Sequence, residues 1–117
     1  MESLDKIHDD KGENMPVILQ MVFDKEVPFG DEMVPAGRQR AESINLEPGF
    51  IWKIWTEDAH AKRGGGIYLF DTREHAQAYL EMHTQRVLKL GYRNIVSEIL
   101  DVNLGLTAIN HGPLEIK

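Results

Sequence analysis

Residues Val17-Ile18-Leu19-Gln20-Met21-Val22-Phe23 are apolar almost without interruption. Such a run fits a central strand covered on both faces. Pro28-Phe29-Gly30-Asp31 then marks a turn. A helix follows and ends near Asn45, with Val34, Ala41 and Ile44 on one stripe and Gly37 between them. Its start has two readings: Asp31 as the N-cap, or Pro35 as the first helical residue. Glu47-Pro48-Gly49 is a turn into a second strand, residues 50–57, which holds both tryptophans. A short polar link, Asp58 to Arg63, leads to a third strand over about 65–70, so these two strands are expected to be antiparallel.

Asp71 and Glu74 have capping-box spacing at the start of a second helix. Ala76, Tyr79, Leu80, His83, Val87 and Leu90 recur at helical spacing, the clearest periodicity in the chain, and Gly91 is a natural stop. A fourth strand runs from about Asn94 to Val102. Beyond it, Leu104, Leu106 and Ile109 suit one packed helical turn. Residues 1–15, with five acidic residues against two lysines, read as a flexible extension, 16–112 as the domain and 113–117 as a tail.

The order strand, helix, strand, strand, helix, strand is the split βαβ pattern. It predicts a ferredoxin-like α+β domain: an antiparallel four-stranded sheet with two helices on one face. Strict alternation along residues 50–57 puts Phe50, Trp52 and Ile54 on one face and Ile51, Lys53 and Trp55 on the other. On that parity Trp52 faces the helices. Lys53 and Trp55 then lie on the open face, a mixed but largely apolar surface suited to packing against a second copy.

Composition narrows the function classes. The net charge is −6, and no basic run exceeds Lys62-Arg63, so nucleic acid is not an expected partner. With no cysteine in the chain, disulfides, thiolate catalysis and cysteine-based zinc sites drop out. No apolar run approaches the ~18 residues of a membrane span, and a cytoplasmic location is expected. The five histidines show no metal-binding spacing; His75 and His83 lie about 80° apart around a helix. Gly64-Gly65-Gly66 opens a strand rather than a helix, which argues for a bulge or a close backbone approach and against a phosphate loop.

A set of short motifs carries a family likeness: Ala41-Glu42-Ser43-Ile44-Asn45, Glu47-Pro48-Gly49-Phe50, Trp52-Lys53, Trp55-Thr56-Glu57 and Gly65-Gly66-Ile67-Tyr68-Leu69-Phe70. Ala78-Tyr79-Leu80-Glu81, His83-Thr84 and Asp101-Val102-Asn103 belong to it too. Over about residues 16–112 the chain resembles the YdhR family of monooxygenases. The resemblance implies a dimeric α+β barrel and kinship with small oxygenases that oxidise aromatic substrates without metal or flavin. The implied partners are a small aromatic or polyphenolic molecule, dioxygen and a second copy of the chain, bound through the face carrying Trp55 and Lys53. No cofactor is implied.

Cofactor-free oxygenation needs an apolar pocket, a base that makes an electron-rich anion, and a donor for developing charge. The candidates are His83, Trp52 and Tyr68. His83, on the inward stripe of the second helix, is the candidate base, or else a hydrogen-bonded core histidine. Trp52 is a candidate to stack on a planar substrate and donate its indole N–H, or else packs in the core. Tyr68 offers a phenol on a face that alternation leaves open. Lys53 is either a desolvated base or, as preferred, paired with Glu57 or Glu98; Arg86 reads as a surface charge. The alternative function is a barrel that binds a small molecule without turnover.

Overall fold

The computed structural model describes residues 15–114. The expected extension therefore falls, up to residue 14, outside the described residues, as do the last three positions of the tail. The elements run β1 (Val17–Asp24), a 3₁₀ turn (Gly30–Glu32), α1 (Met33–Ile44), β2 (Phe50–Asp58), β3 (Arg63–Phe70), α2 (Arg73–Lys89), β4 (Arg93–Asp101) and α3 (Leu104–Ile109). One antiparallel sheet has the order β2-β3-β1-β4. This is the ferredoxin-like arrangement that the element order predicts.

The helix side of the sheet holds the main core. Val17, Leu19 and Met21 of β1, Tyr68 and Phe70 of β3, Ala76 and Tyr79 of α2, and Ile44 of α1 pack together there. The apolar stripe of α2 is as predicted at Ala76, Tyr79, His83 and Val87, which are all buried. Its cap differs. Thr72 is the N-cap, its hydroxyl oxygen accepting from the His75 amide at 3.1 Å, while Asp71 pairs with His75 Nδ1 at 2.7 Å. Both readings of the α1 start are superseded, because the 3₁₀ turn runs straight into the helix and Pro35 falls within its first turn, where no intrahelical N–H is needed.

The far side of the sheet carries a smaller cluster of Leu69, Val102 and Leu104, with Ile18, Ile51, Trp52 and Leu114 against it. Only Leu104 of the expected α3 stripe is buried; Leu106 and Ile109 are exposed.

One irregularity reorganises β2. Phe50 stands opposite Phe70, but Trp52, not Ile51, stands opposite Leu69. Ile51 is the extra residue of a β-bulge, and Ile51 and Trp52 both turn to the far side. Every residue after the bulge is inverted relative to strict alternation. Lys53 pairs with Tyr68, Trp55 with Gly66 and Glu57 with Gly64, all on the helix side. Trp52 does not face the helices, and Lys53 and Trp55 do not lie on the open face.

Among the described residues, no helix is long and apolar enough to cross a membrane.

Candidate functional site

Because of the bulge, β2 delivers a lysine and a tryptophan to the middle of the helix side. Gly66 makes room for them: a Cβ there would lie 2.6 Å from Lys53 Cε. The amine of Lys53 comes to 3.5 Å from the Trp55 ring centroid and 4.7 Å from that of Tyr68. These distances are favourable for a cation over an aromatic face. The Trp55 ring tip reaches α1 at Gly37, where a Cβ would lie 3.3 Å away. The absence of a side chain at Gly37 lets the ring come this close to α1.

The α2 stripe supplies the other wall. Tyr79 and His83 stack at 5.0 Å, and His83 meets Tyr68 edge-on at 6.4 Å. The Tyr68 and Tyr79 rings lie 5.3 Å apart, tilted at 51°. Arg86, one turn beyond His83, folds back over both residues. Its Nε and Nη2 lie 3.1 and 3.0 Å from His83 Nδ1, and Nη2 lies 3.4 Å from the Tyr79 hydroxyl. Arg86 is thus part of the cluster and not a surface charge. The spacing of three along one helix was the available signal for it.

The hydrogen bonds fix the state of His83. A guanidinium only donates, so Nδ1 must accept, and the proton of the neutral ring sits on Nε2. Burial, reinforced by Lys53, Arg86 and Arg40, holds the His83 pKa down to about 3. The ring is therefore a neutral N–H donor near pH 7. Lys53 is displaced in the same sense. Burial, with Arg40 and Arg86 adding to it, pulls its pKa from 10.5 to about 7. Burial pushes both phenols up, so Tyr68 and Tyr79 stay protonated.

Lys53 has no carboxylate partner among the described residues. Glu57 accepts from the Gly30 amide at 2.6 Å, and Glu98 sits opposite Gln20 on the far face. The expected ion pair is absent because the bulge moved Lys53 away from Glu98 and the 3₁₀ turn engaged Glu57.

A cavity of about 30 Å³ lies at this cluster, lined among others by Lys53, His83, Arg40, Trp55 and Val87. On the other side of Trp55, between α1 and the β2 edge, runs an open groove of about 450 Å³. Of the three predicted site residues, His83 lines the cavity and Tyr68 lies beneath Lys53. Trp52 is elsewhere: its indole N–H donates to the Pro113 carbonyl at 2.8 Å beyond the far face. Among the described residues, no three His, Asp or Glu side chains converge as metal ligands.

Residues 18–113 match the protein-family model described as "Putative mono-oxygenase ydhR". The chain belongs to the ydhR family. The match takes in all four strands but for Val17, both long helices and every residue of the Lys53 cluster. Membership in ydhR gives the general kind of activity, mono-oxygenation of a small molecule, and agrees with the likeness carried by the sequence motifs. No curated protein matches the chain.

Proposed function

We propose that this ydhR-family chain is a cofactor-independent monooxygenase acting on a small phenolic aromatic molecule, with Lys53 as its base. The observation that carries the reading is the Lys53 amine: held over two aromatic rings without a carboxylate partner among the described residues, it has a pKa drawn down to about 7. An amine with that pKa is half deprotonated at neutrality, the best compromise for a general base. His83 takes a different role from the one its position in the sequence suggests. Its Nδ1 is occupied by Arg86, so it serves as a donor through Nε2. Tyr68 supports Lys53 from below.

The chemistry balances without an external reductant. Lys53 accepts the phenol proton. The phenolate passes an electron to dioxygen, and the two radicals combine into a peroxide on a ring carbon. Loss of that carbon's proton breaks the O–O bond. One oxygen atom stays as the new carbonyl of a quinone and the other leaves as water. The substrate supplies all four electrons. Lysinium and the Arg86 guanidinium stabilise the developing negative charge, and His83 N–H donates to the reduced oxygen.

The reading includes a homodimer through the sheet face opposite the helices. That face carries Ile54 at 53% and Val96 at 63% exposure, with Val22 and Leu100 also exposed. Apolar side chains clustered in this way favour an interface.

The deciding experiment is oxygen uptake over a panel of phenols and naphthols, with isotopic dioxygen tracing one atom into product and one into water. Uptake stoichiometric with product, lost in Lys53→Met, is the expected result. No uptake over the panel would favour binding without turnover, a reading that the small size of the cavity around His83 also supports.

A further inference from the structure

The cavity and the groove differ in what they can hold. About 30 Å³ takes a water or a diatomic molecule, whereas about 450 Å³ is the size of a pocket for a drug-sized aromatic. They share a wall. Met33, Trp55 and Glu57 line both, and the Trp55 ring stands between Gly37 on one side and the Lys53 amine on the other. β2 is an edge strand, and Trp55 is 41% exposed, so its ring has free space on the solvent side.

The charge behind that ring is mostly positive. The chain carries a net −6, yet Arg40, Lys53 and Arg86 converge on this recess, and none has a carboxylate within ion-pairing distance among the described residues. The cavity's lining includes one carboxylate, Glu57, which is held by the Gly30 amide. Arg86 is committed to His83 and Tyr79. Arg40 makes no side-chain hydrogen bond or ion pair with the described residues, and its planar fork matches a carboxylate. Uncompensated positive charge in a partly dry recess is costly, and a bound anion relieves that cost.

We propose that the groove and the cationic cavity behind Trp55 form one binding site for a flat aromatic acid, its rings against α1 and Trp55 and its anionic group toward Arg40 and Lys53. The inference rests on the proposed reading of the Lys53 cluster as the substrate site, and it adds the ligand's charge and shape. Joining the two spaces requires the Trp55 ring to swing toward solvent. Arg40 is then the specificity residue, while Trp55 contributes stacking and acts as the door.

The test is calorimetric titration of the full chain with three probes of one shape: naphthoate, naphthamide and naphthylmethylammonium. Naphthoate is expected to bind at least about tenfold more tightly than the amide, and the cation not at all. Arg40→Gln is expected to abolish the preference for acid over amide, bringing the acid's affinity down to that of the amide. Trp55→Leu weakens both. Equal affinity for the three probes in the unaltered protein would overturn the proposal without reference to any variant, as would an Arg40→Gln protein that kept the preference. Binding requires no turnover, so the two readings fail separately. Acid-selective binding without oxygen uptake on any phenol overturns only the oxygenase. Oxygen uptake with no preference for acids overturns only the present inference.

Discussion

The Lys53 amine lies 3.5 Å from the centre of the Trp55 ring, on the sheet face that also bears Tyr68. The contact holds a cation where desolvation disfavours it, and burial is the main reason its pKa falls to about 7. Replacing Lys53 with methionine keeps the length and removes the charge. The variant is expected to gain about 1–3 kcal/mol of stability at pH 6, since an apolar side chain replaces a buried ammonium with no carboxylate partner among the described residues. Its turnover should fall at least about a hundredfold, the usual scale for a lost general base. Chemical denaturation and oxygen uptake on the same preparation check both halves. A destabilised variant with normal turnover would remove Lys53 from the site.

The pH profile follows from the same residue. A base works deprotonated, so kcat/KM should rise with pH through about 7 and level off above it. The stability contribution runs in the same direction. Between about 7 and 10.5 the unfolded chain keeps a proton on Lys53 that the folded chain has released, so Lys53 penalises folding less as pH rises across that window. Both slopes should vanish together in Lys53→Met. A rate that falls with rising pH near neutrality would contradict the assignment.

His83 makes the opposite kind of test, because its buried neutral ring should matter at acid pH. Its folded pKa of about 3 lies below the unfolded value of 6.5. The stabilisation is complete above 6.5 and is lost as pH falls from there toward 3. At pH 4.5 the His83-dependent loss should be roughly 2 kcal/mol relative to pH 7. Urea melts of His83→Gln, which also keeps an N–H donor, should show a shallower acid slope than the unaltered protein. Turnover should survive in His83→Gln far better than in His83→Ala, and equal turnover in the two would exclude a donor role.

The fold was legible because its evidence is distributed. The α2 stripe from Ala76 to Val87 and the apolar run of β1 each repeat their message over several residues, and the order of elements does the rest. The site was less legible because it turns on one residue. Ile51 bulges out of β2, and from Trp52 onward every face assignment made by alternation inverts. With Phe50 through Trp55 apolar on both faces apart from Lys53, the pattern could not expose the slip. The available signal lay in the partner strand. Three successive glycines leave space on β3, and something bulky must fill it; Lys53 and Trp55 do, over Gly66. Cysteine absence and net charge bear on the class of chemistry, and neither bears on which face a lysine occupies.

The far face supplies a prediction about assembly. Ile54 on β2 and Val96 on β4 are exposed there, and Trp52 is bound to the C-terminal segment through Pro113. A double variant, Ile54→Glu and Val96→Glu, places charge on both edges of the proposed interface without touching the Lys53 cluster. Sedimentation should show a dimer for the unaltered chain and a monomer for the variant. An unaltered chain that sediments as a monomer at high concentration would remove the dimer.

Two neighbouring glycines should separate folding from function. A methyl group on Gly65 would stand 1.9 Å from the Met21 carbonyl oxygen, which is backbone of the adjacent central strand. Nothing there can move without breaking the β1–β3 pairing, so Gly65→Ala should cost several kcal/mol, about 3 or more, and much of the soluble yield. A methyl group on Gly66 meets Lys53 Cε at 2.6 Å. A lysine stem is flexible, and it can move aside at a cost of about 1 kcal/mol. Gly66→Ala should therefore fold with nearly normal stability, yet lose turnover almost as severely as Lys53→Met, because the amine no longer sits over Trp55 and Tyr68. Thermal melts and oxygen uptake on the pair decide the matter. A well-folded Gly66→Ala protein with full turnover would show that the position of the Lys53 amine is immaterial to the chemistry.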